Sequence, residues 1–350
     1  MLNNTLLISS VLPMSPFVKL VLCGPICDFG NYLQAFAYKA RQANGLPPLL
    51  PIVINSPDQH AEFEENPPGE DCIVISNFPP EKFRQAILQS NVAVVLYSQP
   101  LPAALEYSMQ DLKYDFYSAA RQLNQSLSIL VELLDHRRKL ILGHEADSDD
   151  LSLANLIATT FEDTGFSVLT DQGETPAFPK RQGENLREKQ RTELTAICHG
   201  FFDAIAQTKD VVLFWPLSFF RDADGLRSPP PPGFVDLVGP ARVLYYGPYL
   251  HLPPGEWQAQ VYFGLKNLVG PSAIRIDICS GHITQHTAST VVDADGFFML
   301  EFNVEIAPTD NFLEFRLILD QGEIEGKLIF GGIHLKIDSR NRAHSFRDAS

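Results

Sequence analysis

Aromatic and polar side chains are concentrated in one stretch of the sequence, between Gly239 and Phe263. Pyranose rings have apolar faces that stack on aromatic side chains, while polar groups at the rim bond their hydroxyls. The stretch therefore predicts a surface for a glycan or a protein partner. Its candidate binding residues are Arg242, Tyr245, Tyr246, Tyr249, His251 and Trp257.

Two other roles compete for the same stretch. Large aromatic side chains in a small sandwich are mostly buried, so Trp257 and Tyr262 can equally be core residues. The hairpin can also form a seam between domains by packing against Phe219 and Phe220.

A second group of candidates surrounds the turn from Gly24 to Asn31, which joins a predicted strand to a predicted helix. The first amides of a helix lack internal partners and lie at the positive end of its dipole, so such turns can bind phosphate. Gly24, Gly30 and Asn31 are the candidate contacts. The lysine and the Ser or Thr of a P-loop are missing, and Asp28 repels anions, which favours a plain connection.

No complete catalytic signature is present. His144 and Glu145 are adjacent at a strand end and so point to opposite faces, and His199 fits a partly exposed helix position. The five cysteines are scattered without metal-site spacing, which favours buried thiols in a reducing cytoplasm. We expect no metal and no resident cofactor.

The composition restricts the class of partner. A chain of 350 residues with 45% apolar residues predicts two domains. A net charge of −15 argues against nucleic-acid binding. No apolar run approaches the roughly 20 residues needed to span a bilayer, and a cytoplasmic protein is expected. A homo-oligomer is one of the possible states of the protein.

The first half alternates apolar strands with amphipathic helices, which predicts a parallel sheet in a three-layer α/β domain, residues 1–220. Asn55 to Glu70 is rich in Pro, Glu and Asp and is interpreted as a loop. A proline-rich linker follows at residues 221–233. About eight short strands then predict an antiparallel jelly-roll β-sandwich at residues 234–340, with a tail at 341–350.

The first half resembles a P-loop sulfotransferase over residues 17 to 175. Val21 to Pro25 occupies the place of the phosphate loop, and Val94 to Ser108 that of the second phosphate-contacting turn. The resemblance implies a sulfated adenine nucleotide held also by Ser98 and Ser108. The basic residues of both turns are absent, which implies that the activity is lost.

The second half resembles a carbohydrate-binding module in the size of its predicted jelly roll. Tyr246 to Trp257 and Leu328 to Leu335 also resemble a domain that recurs in bacterial proteins with glycan-related neighbours. The resemblance covers residues 236 to 338. Together the two halves favour a non-catalytic or weakly catalytic accessory protein of bacterial polysaccharide metabolism that binds glycan or a partner. The alternatives are a transferase acting on a glycan and an assembly protein that uses the sandwich for oligomer contacts.

Overall fold

The structure is a computed structural model that describes residues 14–43, 45–143, 150–161, 185–207, 210–223 and 234–337. It confirms an α/β region with a parallel sheet followed by an antiparallel, sheet-rich region. The chain forms two compact units. The first takes residues up to 24, 29–98 and 133–178, and the second takes 25–28, 99–132 and the chain from 179 onward.

The first unit contains a parallel five-stranded sheet in the order β2-β3-β1-β4-β5. Its central strands β1, β3 and β4 are mostly apolar and buried, as a sheet covered on both faces requires. The strands are β1 (Val18–Cys23), β2 (Leu50–Val53), β3 (Cys72–Ser76), β4 (Ala93–Ser98) and β5 (Lys139–Gly143). The helices that accompany them are α1 (Asp28–Ala43), α2 (Pro57–Glu65), α3 (Glu81–Gln89) and α6 (Asp150–Thr160).

Helix α2 corrects the loop predicted for Asn55 to Glu70. The Ser56 hydroxyl accepts a hydrogen bond from the Gln59 amide at 3.2 Å, and Pro57 occupies the first helical turn. Both are preferred helix-start features, a polar N-cap followed by a proline that needs no amide partner. The loop was predicted from the Pro, Glu and Asp content of the segment, and that content gave no weight to the helix start at Ser56 and Pro57.

The second unit is a sandwich of two sheets. One sheet has the order β13-β10-β15-β6, with β8 paired to β15, and the other has the order β12-β11-β14-β9-β7. The strands are β6 (Val211–Trp215), β7 (Arg221–Asp222), β8 (Val235–Asp236), β9 (Arg242–Leu250), β10 (Gly255–Lys266), β11 (Ser272–Ser280), β12 (Ile283–Val292), β13 (Gly296–Ile306), β14 (Leu313–Leu319) and β15 (Lys327–Ile337).

Aromatic side chains from both sheets meet in the sandwich core. Phe330 of β15 stacks on Phe315 of β14 at a centroid distance of 6.2 Å and lies 5.4 Å from the Tyr245 ring of β9. Phe220 contacts both phenylalanines edge-on. Phe220 therefore packs in the core of the second unit.

Three helices also belong to the second unit, α4 (Leu101–Gln110), α5 (Phe116–Leu133, apart from its last residue) and α7 (Glu188–Gln207). Strand β6 pairs with β15 in antiparallel register from Val211↔Ile337 to Trp215↔Ile333. The linker predicted at 221–233 therefore lies between β6 and β15, two strands that pair in one sheet. That the parts on either side of it fold independently stays a prediction. Residues 224–233 of that linker lie outside the described residues, as do the tail and the His144–Glu145 pair.

Two negative features concern the described ranges. None of the helices described is both long and apolar enough to cross a bilayer. All five cysteines are buried, and none forms a disulfide with another.

Candidate functional site

A row of directly paired polar residues crosses the outer face of the β12-β11-β14-β9-β7 sheet. Strand pairing aligns, in order, Thr287, Asp277, Arg316, Tyr246 and Arg221. Residues paired across neighbouring antiparallel strands have side chains on the same face, with Cβ atoms about 5 Å apart. Tyr246 therefore lies between two arginines.

A register shift in β9 determines which aromatic side chains face outward. The pairing of β9 with β14 shifts between Val243 and Tyr245. Tyr245 then aligns with the buried Leu317 and Tyr246 with the half-buried Arg316. The two adjacent tyrosines consequently point to opposite faces, Tyr245 into the core and Tyr246 toward solvent.

Tyr249 extends this surface in a strained backbone conformation. Its φ of 60° is in the left-handed region, which is uncommon for a bulky residue. Its half-buried ring lies 6.5 Å from the Tyr246 ring, nearly perpendicular to it. The Arg121 guanidinium of α5 lies 5.8 Å from the Tyr249 ring centroid. Arg121 is held there because its Nε donates to the Pro248 carbonyl at 2.9 Å.

We call Tyr246, Tyr249, Arg121, Arg221 and Arg316 the tyrosine platform. Glu314 lies beside it, since its carboxylate accepts two hydrogen bonds from Arg316 at 2.9 and 3.1 Å. Burial raises the pKa of Tyr249, and Glu314 raises it further, while Arg221 and Arg316 lower it. The platform thus combines two half-exposed rings with planar hydrogen-bonding groups, the chemistry needed to stack a sugar and bond its hydroxyls.

The other predicted hairpin residues serve the interior or a turn. Trp257 is fully buried, and its indole Nε1 donates to the Pro253 carbonyl at 3.0 Å. Tyr245 is also fully buried. These burials agree with the core alternative for Trp257. Arg242 bonds the carbonyls of Asp236 and Leu237, and so secures the turn before β9.

His251 is buried in a polar network that joins α5 to the sandwich. Its Nε2 lies 2.9 Å from the Thr309 carbonyl, and its Nδ1 lies 2.8 Å from the Ser128 hydroxyl. Because a carbonyl only accepts, Nε2 donates, and Nδ1 accepts from Ser128. The His251 amide donates to Asn124 Oδ1 at 2.8 Å. A serine beside a histidine resembles a nucleophile and its base, but both side chains are enclosed and out of a substrate's reach.

The nucleotide-binding candidates of the first unit lie around the Tyr97 ring. A Cβ atom on Gly24 would lie 2.5 Å from that ring, and one on Gly30 would lie 2.6 Å from its hydroxyl. Asn77 fixes the arrangement, since its amide donates to the Gly24 carbonyl at 2.8 Å and to the Tyr97 hydroxyl at 3.0 Å. Tyr97 therefore occupies the space beside the turn where a phosphate would approach these glycines.

The remaining candidates lie in α1, β4 and α4. Asn31 is exposed on α1, and Ser98 is buried at the end of β4. Ser108 is buried in α4, where its hydroxyl bonds the Ala104 carbonyl at 3.3 Å. Ser108 also belongs to the other compact unit.

We expect adenosine 3′,5′-bisphosphate to give no binding heat at millimolar concentration in calorimetric titration. The Tyr97 ring lies against Gly24 and Gly30, and Asp28 adds a negative charge to the first turn of α1. A saturable heat of about one nucleotide per chain would contradict this expectation. Titration with inorganic sulfate serves as the control for weak, nonspecific anion binding.

A separate apolar cavity of about 330 Å³ lies in the first unit. Its walls include Phe17, Phe63, Phe83 and His60, with Glu64 Oε1 3.7 Å from His60 Nε2. Burial lowers the pKa of His60, so its imidazole is neutral at pH 7. Sequence reasoning did not identify this cavity, because its walls come from α2, α3 and the segment before β1.

Sequence reasoning also missed three arginines of the platform, Arg121, Arg221 and Arg316. They come from α5, β7 and β14, and only strand pairing and helix packing bring them beside Tyr246 and Tyr249. A partial signal was present, since the alternation in Leu313 to Leu319 places Glu314 and Arg316 on one face.

No protein-family model matches the sequence, and comparison with curated proteins finds no match. Among solved structures, the C-terminal region is similar to two carbohydrate-binding modules. TmCBM61 in complex with β-1,4-galactotriose has 10% identity and a TM-score of 0.22, covering 29% of this chain and 67% of that chain. CBM36 in complex with calcium and xylotriose has 13% identity and a TM-score of 0.22, covering 34% and 87%.

A structure of the Gx strain of infectious bursal disease virus also matches, with 10% identity and a TM-score of 0.26 over 39% of this chain and 34% of that chain. Similarities at this level carry no functional argument. The comparisons give no support to the sulfotransferase resemblance of the first half.

Proposed function

We propose that the protein binds glycans through the tyrosine platform and acts as a non-catalytic or weakly catalytic accessory protein of bacterial polysaccharide metabolism. The observation that carries the proposal is the position of Tyr246, an outward-facing ring placed by strand pairing between Arg221 and Arg316. A pyranose stacked on this ring has guanidinium donors at both edges and the Glu314 carboxylate beside one of them.

The backbone at Tyr249 supports a binding role for this surface. A left-handed tyrosine costs conformational free energy of order 1–3 kcal/mol, and such costs are concentrated at functional sites. In this conformation Tyr249 places a second ring beside the Tyr246 ring and within 5.8 Å of the Arg121 guanidinium. Two rings about 6.5 Å apart suit an oligosaccharide rather than a single sugar.

The environment of the Ser128–His251 pair supports the non-catalytic part of the proposal. Ser128 and His251 have 0% and 1% of their surface exposed, so neither can meet a substrate in this conformation.

Replacing Tyr246 with alanine is expected to weaken glycan binding at least about tenfold, about 1.4 kcal/mol, because the stacking surface is removed. A glycan array would identify the ligand, and calorimetry with that ligand would compare the variant with the unchanged protein. Tyr262→Ala is the matched control, since Tyr262 is a half-buried tyrosine in the other sheet of the sandwich.

Two results would count against the proposal. One is an array without signal for the folded protein, which would favour a protein partner or an assembly role. The other is equal loss of binding in Tyr246→Ala and Tyr262→Ala, which would show a general effect on folding rather than the loss of a contact.

A further inference from the structure

Only one of the three arginines of the tyrosine platform is bonded to a carboxylate among the described residues. Arg316 is paired with Glu314 through two hydrogen bonds. Among the residues that the structure describes, neither Arg121 nor Arg221 forms a salt bridge with a carboxylate. Arg121 uses its Nε for the Pro248 carbonyl, which leaves its two terminal nitrogens available. These two arginines belong to a protein with a net charge of −15.

Both arginines lie beside the same pair of tyrosines. Arg121 lies over the Tyr249 ring, and Arg221 is paired with Tyr246, whose ring contacts that of Tyr249. Burial lowers the pKa of Arg121, and the charge of Arg221 lowers it further. Asp115 is the nearby acidic group that acts in the opposite direction, but its carboxylate accepts two hydrogen bonds from Ser118 at the start of α5.

Like charges held together on one surface repel each other unless an anion is placed between them. The Arg121 guanidinium is positioned by the hydrogen bond that its Nε donates to the Pro248 carbonyl. Guanidinium groups bind planar carboxylates through paired hydrogen bonds, and this geometry adds specificity as well as free energy.

We infer that the ligand of the tyrosine platform is an acidic glycan, whose uronic acid carboxylate is bound by Arg221 and Arg121 while its ring stacks on Tyr246. The inference rests on the proposed function. A carboxylate on a pyranose projects from the edge of the ring, and Arg221 lies at one edge of Tyr246 because the two residues are paired. Glu314 and Arg316 at the opposite edge are left for hydroxyl groups.

The test compares ligands that differ only in charge. Trigalacturonate and its fully methyl-esterified form have the same rings, but only the acid carries carboxylates. We expect calorimetry with the full-length protein to give at least about tenfold tighter binding for the acid. We also expect this preference to fall as the salt concentration rises. A sulfated galactotriose of equal charge distinguishes carboxylate recognition from attraction to any anionic sugar.

Arg221→Gln is expected to remove most of the preference for the acid while changing binding of the ester less than twofold. Arg221→Lys keeps the charge without the planar fork, and we expect an intermediate preference. Lys336→Gln is the matched control, because it removes one positive charge from an exposed position in the other sheet, and it should leave the preference unchanged.

The outcomes separate this inference from the proposed function. Equal binding of acid and ester, both lost in Tyr246→Ala, would overturn the acidic ligand and keep glycan binding. Tighter binding of the sulfated sugar than of trigalacturonate would overturn carboxylate recognition. Array signals confined to neutral glycans would also overturn the inference, and a blank array would overturn both proposals.

Discussion

Replacing Gly200 with alanine is expected to destabilise the second unit by about 3 kcal/mol. Gly200 is inside α7, where that helix crosses β6 so closely that an added Cβ atom would lie 2.1 Å from the Val212 carbonyl oxygen. The obstacle is backbone in a paired strand, so the helix itself has to move. In an unobstructed helix the same substitution stabilises by up to about 1 kcal/mol, so the expected sign is reversed.

Tryptophan fluorescence during urea unfolding is a suitable measurement. Both tryptophans of the protein, Trp215 and Trp257, are buried in the second unit, so their signal reports that unit. Gly270→Ala is the control, because no atom lies within 4 Å of the added Cβ, and its unfolding midpoint should be unchanged. A Gly200→Ala protein as stable as the unchanged one would show that α7 does not pack on β6 as described.

The contact between α7 and β6 also shows where sequence reasoning reaches its limit. The alternation of apolar strands and amphipathic helices predicted for the first half accounts for elements of these two kinds, α7 and β6. Their assignment to the first domain has no such basis, because period and propensity describe a segment and not its partner. Strand β6 pairs with β15, near the other end of the chain, and this choice depends on long-range packing.

The tyrosine platform shows the same limit at the scale of single residues. The density of aromatic residues drew attention to the hairpin, but it could not separate the outward Tyr246 and Tyr249 from the buried Tyr245 and Trp257. The register shift in β9 separates them. Strict alternation from Val243 would place Tyr245 on the outer face and Tyr246 on the inner one, and the shift exchanges these two positions. The arginines that complete the platform come from three other elements.

The turn after β1 shows a packing constraint that the sequence alone does not contain. Because the turn lacks a lysine and contains Asp28, the sequence favoured a plain connection. The structure adds a reason that no local pattern contains, since the Tyr97 ring lies against Gly24 and Gly30. A small residue at position 24 is thus needed for packing within the first unit, independently of any phosphate.

Replacing His251 with alanine is expected to destabilise the second unit by about 3 kcal/mol, because two buried hydrogen bonds and the packing of the ring are lost together. The Ser128 hydroxyl would lose its acceptor, and the Thr309 carbonyl would lose this donor. The bond from the His251 amide to Asn124 does not involve the side chain and would persist. The same fluorescence measurement reports the change.

The control for this prediction is His199→Ala, in which an exposed histidine of α7 undergoes the same substitution, with an expected change within about 0.5 kcal/mol. A double-mutant cycle with Ser128→Ala isolates the contact, and a coupling of about 1 kcal/mol is expected for one buried hydrogen bond. Coupling near zero would mean that Ser128 and His251 contribute separately. In that case the link from α5 to the sandwich would depend on Asn124 instead, whose amide also donates to the Ile197 carbonyl of α7 at 3.0 Å.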